Sequence, residues 1–153
     1  MNSFTIRTAT EQDLDAAAEH GFGFIQEDNS DAFMSYDQDG VRKMGGLLIK
    51  QHLMHFWVCC DGDEMAGFLG MIIAPNIYNP KETLADIYMV DVFPKYRHRG
   101  VAKKLIQTAE YAAMKMGITS ISISFKSEAI AKGVENSMGY TLTEYKLMKR
   151  IKE

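Results

Sequence analysis

The sequence predicts an α/β (α+β) fold in which a mixed, mostly antiparallel central sheet carries helices on both faces. The segments read in the order β-α-α-β-β-β-α-β-α-β. Asp61-Gly62 between two apolar runs is a hairpin signal, which predicts antiparallel neighbours. A strand–helix–strand crossover near the end of the chain adds a parallel pair, and such sheets carry helices on their faces. The length of 153 residues suits one domain over 1–153.

The first half of the chain is expected to form one strand, two helices and a hairpin. Thr10 is a good N-cap and Asp13 follows three residues later, which indicates the start of the first helix. The glycine-containing stretch before the second helix shows no clear period and is expected to be irregular. The expected ranges are a strand over 4–9, a helix over 11–20, an irregular stretch over 21–41, a helix over 41–53, and strands over 55–62 and 64–74.

The second half is expected to hold the crossover and a closing strand. Pro94 ends the longest strand, because proline cannot continue a hydrogen-bonded ladder. The next helix has an apolar face, and Gly117 stands where a C-terminal cap belongs. Alternating isoleucine and serine predict the strand after it. The expected ranges are a strand over 83–93, a helix over 100–116, a strand over 120–125, a helix over 128–138 and a strand over 140–151.

Charge and cysteine usage exclude several classes of protein. A net charge of −3 and a pI near 5.8 argue against a general nucleic-acid or membrane-surface binder. No apolar run approaches the roughly 20 residues of a membrane span, and no signal-peptide pattern is present. Cys59 and Cys60 are adjacent, so a reducing, cytoplasmic location is expected. They follow His52 and His55, but adjacent strand residues point to opposite faces, so no metal site is expected.

Positive charge is concentrated where the longest strand gives way to a helix. Lys95, Arg97, His98 and Arg99 crowd this junction. The first N–H groups of a helix have no partners within it and attract anions. Gly100 allows close approach of the backbone, and nearby cations can add charge-assisted bonds. The candidates for such bonds are Arg97, Arg99, Lys103 and Lys104. This pattern predicts a ligand with more than one phosphate.

The same stretch resembles a known signature. V-F-P-K-Y-R-H-R-G-V-A, residues 92–102, is similar to the acetyl-coenzyme A signature of the GNAT N-acetyltransferase superfamily, V-x-P-x-x-[RQ]-x-x-G-x-[GA], which Arg97, Gly100 and Ala102 match. The opening FTIRTATEQDLDAA and the later A-x(7)-G-Y, Ala131 to Tyr140, also resemble the family. The resemblance covers essentially the whole chain and implies the GNAT acyl-CoA N-acyltransferase fold.

The resemblance implies direct transfer of an acetyl group from acetyl-CoA to a primary amine in a ternary complex. In this family the pantetheine arm lies between the fourth and fifth strands, and the pyrophosphate rests on the loop after the fourth strand. Val90 and Val92 could also be simple core residues, and His98 could face solvent. The residues implied to bind the cofactor are Val90, Asp91, Val92, Arg97, His98, Arg99, Gly100, Val101, Ala102 and Lys103. No metal is implied.

Asp86 is the candidate general base. It lies eleven residues before Arg97, the offset at which histone-acetylating family members carry a base glutamate. Strand parity predicts that Asp86, Tyr88, Val90 and Val92 face the same way. Asp86 could instead be a strand-end carboxylate paired with a lysine or arginine. Tyr88 could orient a catalytic water or line the acceptor pocket, or pack with its hydroxyl at the surface.

The proton donor to the leaving thiolate departs from the family pattern. Many members carry a tyrosine four positions before the G-F of the late helix, where this chain has Glu135. They often carry an asparagine near the helix start, where this chain has Glu128. Tyr140 or Tyr145 could serve as the acid, or the thiolate could leave without one. A GNAT fold retained as a catalytically weak acyl-CoA sensor is a further alternative.

The acceptor is expected to be cationic. The stretch between the first two helices, which walls the acceptor site in this family, has several acidic residues and no lysine or arginine; these are Glu27, Asp28, Asp31, Asp37 and Asp39. A polyamine, an aminoglycoside-like amine, or a lysine or N-terminal amine of a basic peptide would suit it. The acidic residues could equally form a solvated surface. Residues 95–104 could instead form a nucleic-acid or protein-docking patch, and a homodimer is a further expectation.

Overall fold

A computed structural model describes residues 4–27, 34–144, 146–149 and 151 of the chain. Within them lie five strands and four α-helices. In chain order they are β1 (Thr5–Thr8), α1 (Glu11–Glu27), α2 (Gln38–Lys50), β2 (Met54–Asp61), β3 (Glu64–Asn76), β4 (Asn79–Val92), α3 (Val101–Lys115), β5 (Ile121–Ile123) and α4 (Glu128–Met138), with a single 3-10 turn, Pro94–Tyr96, between β4 and α3.

The five strands form one mixed sheet in the order β1-β2-β3-β4-β5. The first four are antiparallel, and the β2–β3 hairpin turns at Gly62, as the sequence predicts. β5 joins β4 in parallel through Ala85–Ile121, Asp86–Ser122 and Ile87–Ile123, with α3 as the crossover. The predicted fold class is confirmed.

Apolar side chains cover both faces of the sheet. The face under α3 buries Leu69, Met71 and Ile87 together with Leu105 and Ile106 of the helix. The opposite face, under α1 and α2, is built by a second cluster whose buried members are Ala17, Met54, Phe56, Val58, Cys60 and Phe68. The two cysteines belong to different clusters, as adjacent strand residues must. Helices therefore cover both faces, as predicted.

A β-bulge at Tyr88 changes which side of the sheet β4 addresses. Gly70 of β3 pairs with Met89 and Met71 pairs with Ile87, so Tyr88 is the extra residue. Before the bulge, Asp86 lies opposite Ile72, which belongs to the α1–α2 side. After it, Val90 and Val92 pack on the α3 side. The prediction that Asp86, Tyr88, Val90 and Val92 share one face is wrong because an unpaired residue shifts the alternation.

The first two helices begin or end outside their expected bounds. α1 continues to Glu27 and α2 begins at Gln38, so the predicted irregular stretch over 21–41 is largely helical where the structure describes it. Glycine lowers helix propensity, but Gly21 has a packing role here. A side chain at Gly21 would collide with Tyr36, whose hydroxyl donates to the carbonyl of Ala18. Close contact between the helix and this tyrosine overrides the local preference.

The predicted closing strand over 140–151 is also wrong for the described residues, none of which belongs to a strand. Its apolar residues change parity, because Leu142 is an even position whereas Leu147 and Ile151 are odd. No single face of such a strand would be apolar. β5 spans three residues rather than the predicted 120–125, which leaves little edge to pair with. No helix in the described part of the chain could cross a membrane.

Candidate functional site

The sheet opens at the carboxyl end of β4. Its pairs with β5 end at Ile87–Ile123, directly before the bulge, and β4 continues to Val92. Because a bulge bends a strand, β4 turns away from β5 at this point. The N–H of Phe93 donates to Ala66 of β3 at 3.0 Å. The carbonyl of Val92 belongs to the same trans peptide and therefore faces away from β3. We call the segment Tyr88–Val92 the open edge.

A left-handed turn carries the open edge into α3. His98 and Gly100 have positive φ values of 62° and 81°, and α3 begins at Val101. No side chain caps the helix, and its first backbone bond runs from Lys104 N to Gly100 O at 3.1 Å. The preceding N–H groups of the first turn thus have no partner within the helix. Apart from its neighbours in the chain, nothing in the described residues lies within 4 Å of where a Cβ of Gly100 would be. We call residues 97–102 the anion loop.

The cations near the anion loop are mostly bound to protein groups. Arg97 donates through Nε to Val92 O at 3.0 Å and through Nη2 to Glu27 Oε2 at 2.7 Å. Arg99 lies over the rings of Phe4 and Tyr96, 3.7 Å from a carboxylate oxygen of Asp61. The Lys104 ammonium also lies over the Phe4 ring, at 5.7 Å. The expectation that Arg97, Arg99 and Lys104 all turn toward a phosphate is therefore not met by this arrangement.

Lys103 differs from these neighbours. It is exposed on the first turn of α3, and among the described residues no ion pair or ring contact holds its ammonium. In the described part of the chain neither Lys103 nor Lys104 forms an ion pair, and Lys103 makes no ring contact either. His98, between Arg97 and Arg99, is exposed as well.

Asp86 has a partner that the sequence analysis missed. The hydroxyl of Ser122 on β5 donates to Asp86 Oδ1 at 2.6 Å, so the carboxylate is bound to a serine and not to a lysine or arginine. The alternation of isoleucine and serine in β5 was the signal, since it places serine opposite a residue of β4. Tyr88 projects at the bulge with 66% of its surface exposed. Asp86 lies on the α1–α2 side of the sheet, across from the side chains of Val90 and Val92.

Asp91 belongs to the open edge, but its polar groups are turned inward. Its carbonyl is against Gly67 of β3, and its side chain is buried on the α1–α2 side. Burial raises the pKa of this carboxyl, and the charge of Arg97 opposes that effect. The family resemblance implies that Asp91 contacts the cofactor together with Val90 and Val92, whereas in the fold its carbonyl and side chain are turned away from such a contact.

Tyr140 is enclosed by the core under α3. Its hydroxyl oxygen is buried and no partner within hydrogen-bond geometry is present in the described residues. Burial raises the pKa of this phenol far above its ordinary value, and the nearby Glu110 carboxylate in the third turn of α3 raises it further. Glu135 accepts from the backbone N–H of Leu142 at 3.3 Å. Tyr145 lies outside the described residues.

The expected acceptor wall is described only in part. Asp37 caps α2 by accepting from Gly40 N at 3.0 Å, and Glu27 is bound to Arg97. Asp28 and Asp31 lie outside the described residues. Some of the acidic residues therefore have structural partners, whereas Asp39 is exposed in the first turn of α2. Within the described ranges, no three His, Cys, Asp or Glu side chains converge as a metal site would require.

The open edge of β4 leads directly into the uncapped amino end of α3. The acetyltransferase (GNAT) family model matches residues 15–139, and the chain belongs to this family. No curated protein sequence matches it significantly.

Solved structures share the fold. An aminoglycoside acetyltransferase from an uncultured soil metagenomic sample, in complex with sisomicin, is 18% identical with a TM-score of 0.72 and 97% of each chain covered. A transcriptional regulator from Bacillus halodurans C-125 is 20% identical with a TM-score of 0.79, covering 97% of this chain and 100% of the other. A predicted acetyltransferase from Clostridium acetobutylicum, with acetyl-CoA, is 12% identical with a TM-score of 0.76, covering 97% and 96%.

Proposed function

We propose that this protein is an N-acetyltransferase that moves the acetyl group of acetyl-CoA directly to a primary amine in a ternary complex. The observation that carries the proposal is the continuity of the open edge with the uncapped amino end of α3. A free strand edge suits an amide-containing arm, and a helix amino end suits a diphosphate. A ligand with both parts would lie along β4 and end at the anion loop.

The residues present fit acetyl-CoA. Gly100 leaves open space beside the first turn of α3, so a diphosphate could approach the N–H groups of Val101 to Lys103. Lys103 supplies a charge that no other side chain described in the structure neutralises. Val90 and Val92 pack their side chains into the core. Val90 would offer its backbone groups to the arm, whereas the carbonyl of Val92 already accepts from Arg97 Nε at 3.0 Å. In this proposal Arg97, His98, Arg99 and Ala102 contribute through the backbone of the loop.

Asp86 is the proposed base. A lysine-like amine has a pKa near 10.4 in water and must lose a proton before it attacks a thioester. The Asp86 carboxylate, oriented by the hydroxyl of Ser122 at 2.6 Å, would accept that proton through a water. The amine would approach from the α1–α2 side, and the exposed Tyr88 would border its path. Backbone N–H groups of the open edge would stabilise the developing oxyanion.

Departure of the thiolate without a side-chain acid is the better supported alternative. Tyr140 is enclosed under α3, and its raised pKa makes it a weak proton donor. A thiol pKa near 8.5 already makes the thiolate a fair leaving group. Replacing Tyr140 with phenylalanine should leave kcat within about twofold and should not destabilise the fold, because no group in the described part of the chain bonds the buried hydroxyl in hydrogen-bond geometry. A hundredfold loss of kcat, at unchanged stability, would instead make Tyr140 the acid.

A cationic amine is the proposed acceptor class, and a cytoplasmic location suits the proposal. The net charge of −3 favours an acceptor of opposite sign, and Asp39 and Asp86 lie on elements of the expected acceptor side. The structural neighbour in complex with sisomicin is an aminoglycoside acetyltransferase, which makes aminoglycosides sensible members of a first acceptor screen.

The nucleic-acid or protein-docking alternative has weaker support. Three cations of the basic stretch are paired with carboxylates on other elements, which leaves little net positive charge there; the pairs are Lys95–Glu64, Arg97–Glu27 and Arg99–Asp61. A docking patch for a polyanion needs unpaired charge. An acyl-CoA sensor without transfer activity would bind the cofactor but would acetylate none of the acceptors. Measuring both cofactor binding and acetyl transfer therefore separates a sensor from an enzyme.

Titration of acetyl-CoA into the protein by calorimetry tests cofactor binding. Wild type should bind in the micromolar range, and Gly100→Asp should weaken binding at least tenfold because its carboxylate would meet the diphosphate. Gly100→Asn controls for size and strain. Gly117→Asp is a second control. It places a carboxylate at another glycine with a positive φ, 75°, but beyond the carboxyl end of α3 and so away from the anion loop. No binding to wild type, or equal binding to all variants, would contradict the cofactor site.

Transfer is tested with polyamines, aminoglycosides and lysine-containing peptides by following free thiol. Asp86→Asn should lower kcat at least tenfold without changing the affinity for acetyl-CoA. Ser122→Ala should have a smaller effect, since it removes only the group that orients the carboxylate. A wild-type rate retained by Asp86→Asn would exclude Asp86 as the base.

A further inference from the structure

Arg97 links the anion loop to the end of α1. Glu27 is the last residue of α1, and its Oε2 accepts from Arg97 Nη2 at 2.7 Å. The Nε of the same guanidinium donates to Val92 O at 3.0 Å, on the open edge. One side chain thus joins three elements of the proposed site: the open edge, the anion loop and the helix beside the expected acceptor wall.

The groups around this guanidinium are two carboxylates and an imidazole. Asp91 is buried beneath it on β4, and the charge of Arg97 lowers the pKa of that carboxyl against the effect of burial. Glu27 lies above it with its side chain 52% exposed. His20 of α1 packs on Phe93, with ring centroids 4.0 Å apart. Arg97 therefore sits between a buried anion and an exposed one, and only Glu27 is free to move away.

We propose that the Glu27–Arg97 ion pair couples cofactor binding to the position of the last turn of α1. This inference rests on the proposed cofactor site. A diphosphate on the anion loop would bring negative charge next to Glu27 and would compete for the guanidinium, which keeps its charge at any physiological pH. Binding of the cofactor then weakens the hold on Glu27 and loosens the end of α1. Arg97 acts as a positioning residue, not as a catalytic one.

The coupling is reciprocal, because two binding equilibria linked through one group affect each other equally. Removal of the Glu27 carboxylate should therefore tighten binding of the cofactor while it loosens α1. An exposed ion pair contributes little, so the expected gain in affinity is about two- to fivefold. The loss of helix protection should be confined to the last turns of α1.

Coenzyme A and Glu27→Gln test the coupling. Glutamine keeps the size and helix propensity of the side chain and removes its charge. Calorimetry gives the affinity of coenzyme A, and amide hydrogen exchange of the peptide around residues 18–27 reports on α1. In wild type, coenzyme A should accelerate exchange there at least twofold. In Glu27→Gln, exchange should already be fast and insensitive to coenzyme A, and affinity should rise about two- to fivefold.

Glu64→Gln is the matched control. Glu64 of β3 forms a more exposed pair, at 2.6 Å, with Lys95, which lies on the connection between β4 and α3 but does not contact Glu27. It should show the wild-type response of α1 to coenzyme A. Binding to wild type without a change in exchange, or no gain in affinity for Glu27→Gln, would overturn the coupling alone. Failure of wild type to bind coenzyme A would overturn both this inference and the proposed function.

Discussion

The amino ends of α1 and α3 are built in opposite ways. Every helix begins with N–H groups that lack partners inside it. At the start of α1, the carboxylate of Asp13 accepts hydrogen bonds from the backbone N–H and the hydroxyl of Thr10, at 2.7 and 2.8 Å. The guanidinium of Arg7 donates two more hydrogen bonds to the same carboxylate, at 2.6 and 3.0 Å. Before α3 stands Gly100, which has no side chain to offer. Side chains bond around the N-cap residue of α1, whereas no side chain caps the amino end of α3.

The difference separates stability from binding. Asp13 is 8% exposed and belongs to the packed base of α1, so its hydrogen bonds stabilise the fold and leave no room for a ligand. Gly100 is exposed, and the space beside it is open. A change at the first end should therefore alter the free energy of unfolding, and a change at the second should alter ligand affinity. The three predictions below test this division.

Replacement of Asp13 by asparagine should have the largest effect on stability. The pKa of Asp13 is lowered from 3.8 to about 2, first by its hydrogen bonds from Arg7. That shift corresponds to about 2 kcal/mol of stability, which the variant should lose in urea unfolding. Its affinity for acetyl-CoA should stay within twofold of wild type. Asp37→Asn, at the exposed cap of α2, should cost at most about 1 kcal/mol.

The contribution of Asp13 should also depend on pH. Since its folded pKa is the lower one, the unfolded chain takes up the proton first as pH falls. The stabilisation is complete above about pH 4 and disappears as pH falls toward 2, whereas Arg7 stays charged throughout. The unfolding free energies of wild type and Asp13→Asn should therefore converge over this interval. A constant difference between them from pH 6 to pH 2 would assign the stability to another group.

Replacement of Lys103 by methionine should have the smallest effect on stability. Methionine keeps the helix propensity and the apolar stem, so the free energy of unfolding should change by less than about 0.5 kcal/mol. Affinity for acetyl-CoA should fall about three- to tenfold, and its dependence on salt should become weaker. Lys115→Met, at the carboxyl end of the same helix, is the control and should leave affinity unchanged. An equal loss of affinity in Lys103→Met and Lys115→Met would mean that the lysine charge acts through long-range attraction and not through a contact with the ligand.

The features that could be predicted from the sequence are those that residues close together in the chain determine. The crossover helix, its ends at Gly100 and Gly117, and the Thr10–Asp13 capping pair all depend on side chains within a few positions of each other. The extent of α1 could not be predicted, because the helix tolerates Gly21 only through its contact with Tyr36. That contact depends on how the segment before α2 lies against α1, which no local pattern encodes.

The ion-pair partners of the charged residues at the site could not be predicted from the sequence either. The sequence places Arg97, Arg99 and Lys103 in one short stretch with nothing to distinguish them. In the fold, Arg97 is bound to Glu27 and Arg99 lies beside Asp61, while Lys103 remains available. The roles of the cations are set by residues far away along the chain. The bonding of Asp86 to Ser122 depends on the register of a parallel pair, which follows from the whole crossover.

The bulge at Tyr88 also affects how spacing in this strand should be counted. Asp86 precedes Arg97 by eleven residues, one of which takes no place in the ladder. Deleting Tyr88 would restore simple alternation and leave Ile87 and Met89 on the sides they already occupy. A chain without the extra residue would thus need its carboxylate ten positions before the arginine to keep it on the same side. The deletion straightens the strand without turning any side chain over, and a comparison with Tyr88→Ala, which keeps the extra residue, separates the need for a bend from the need for a tyrosine.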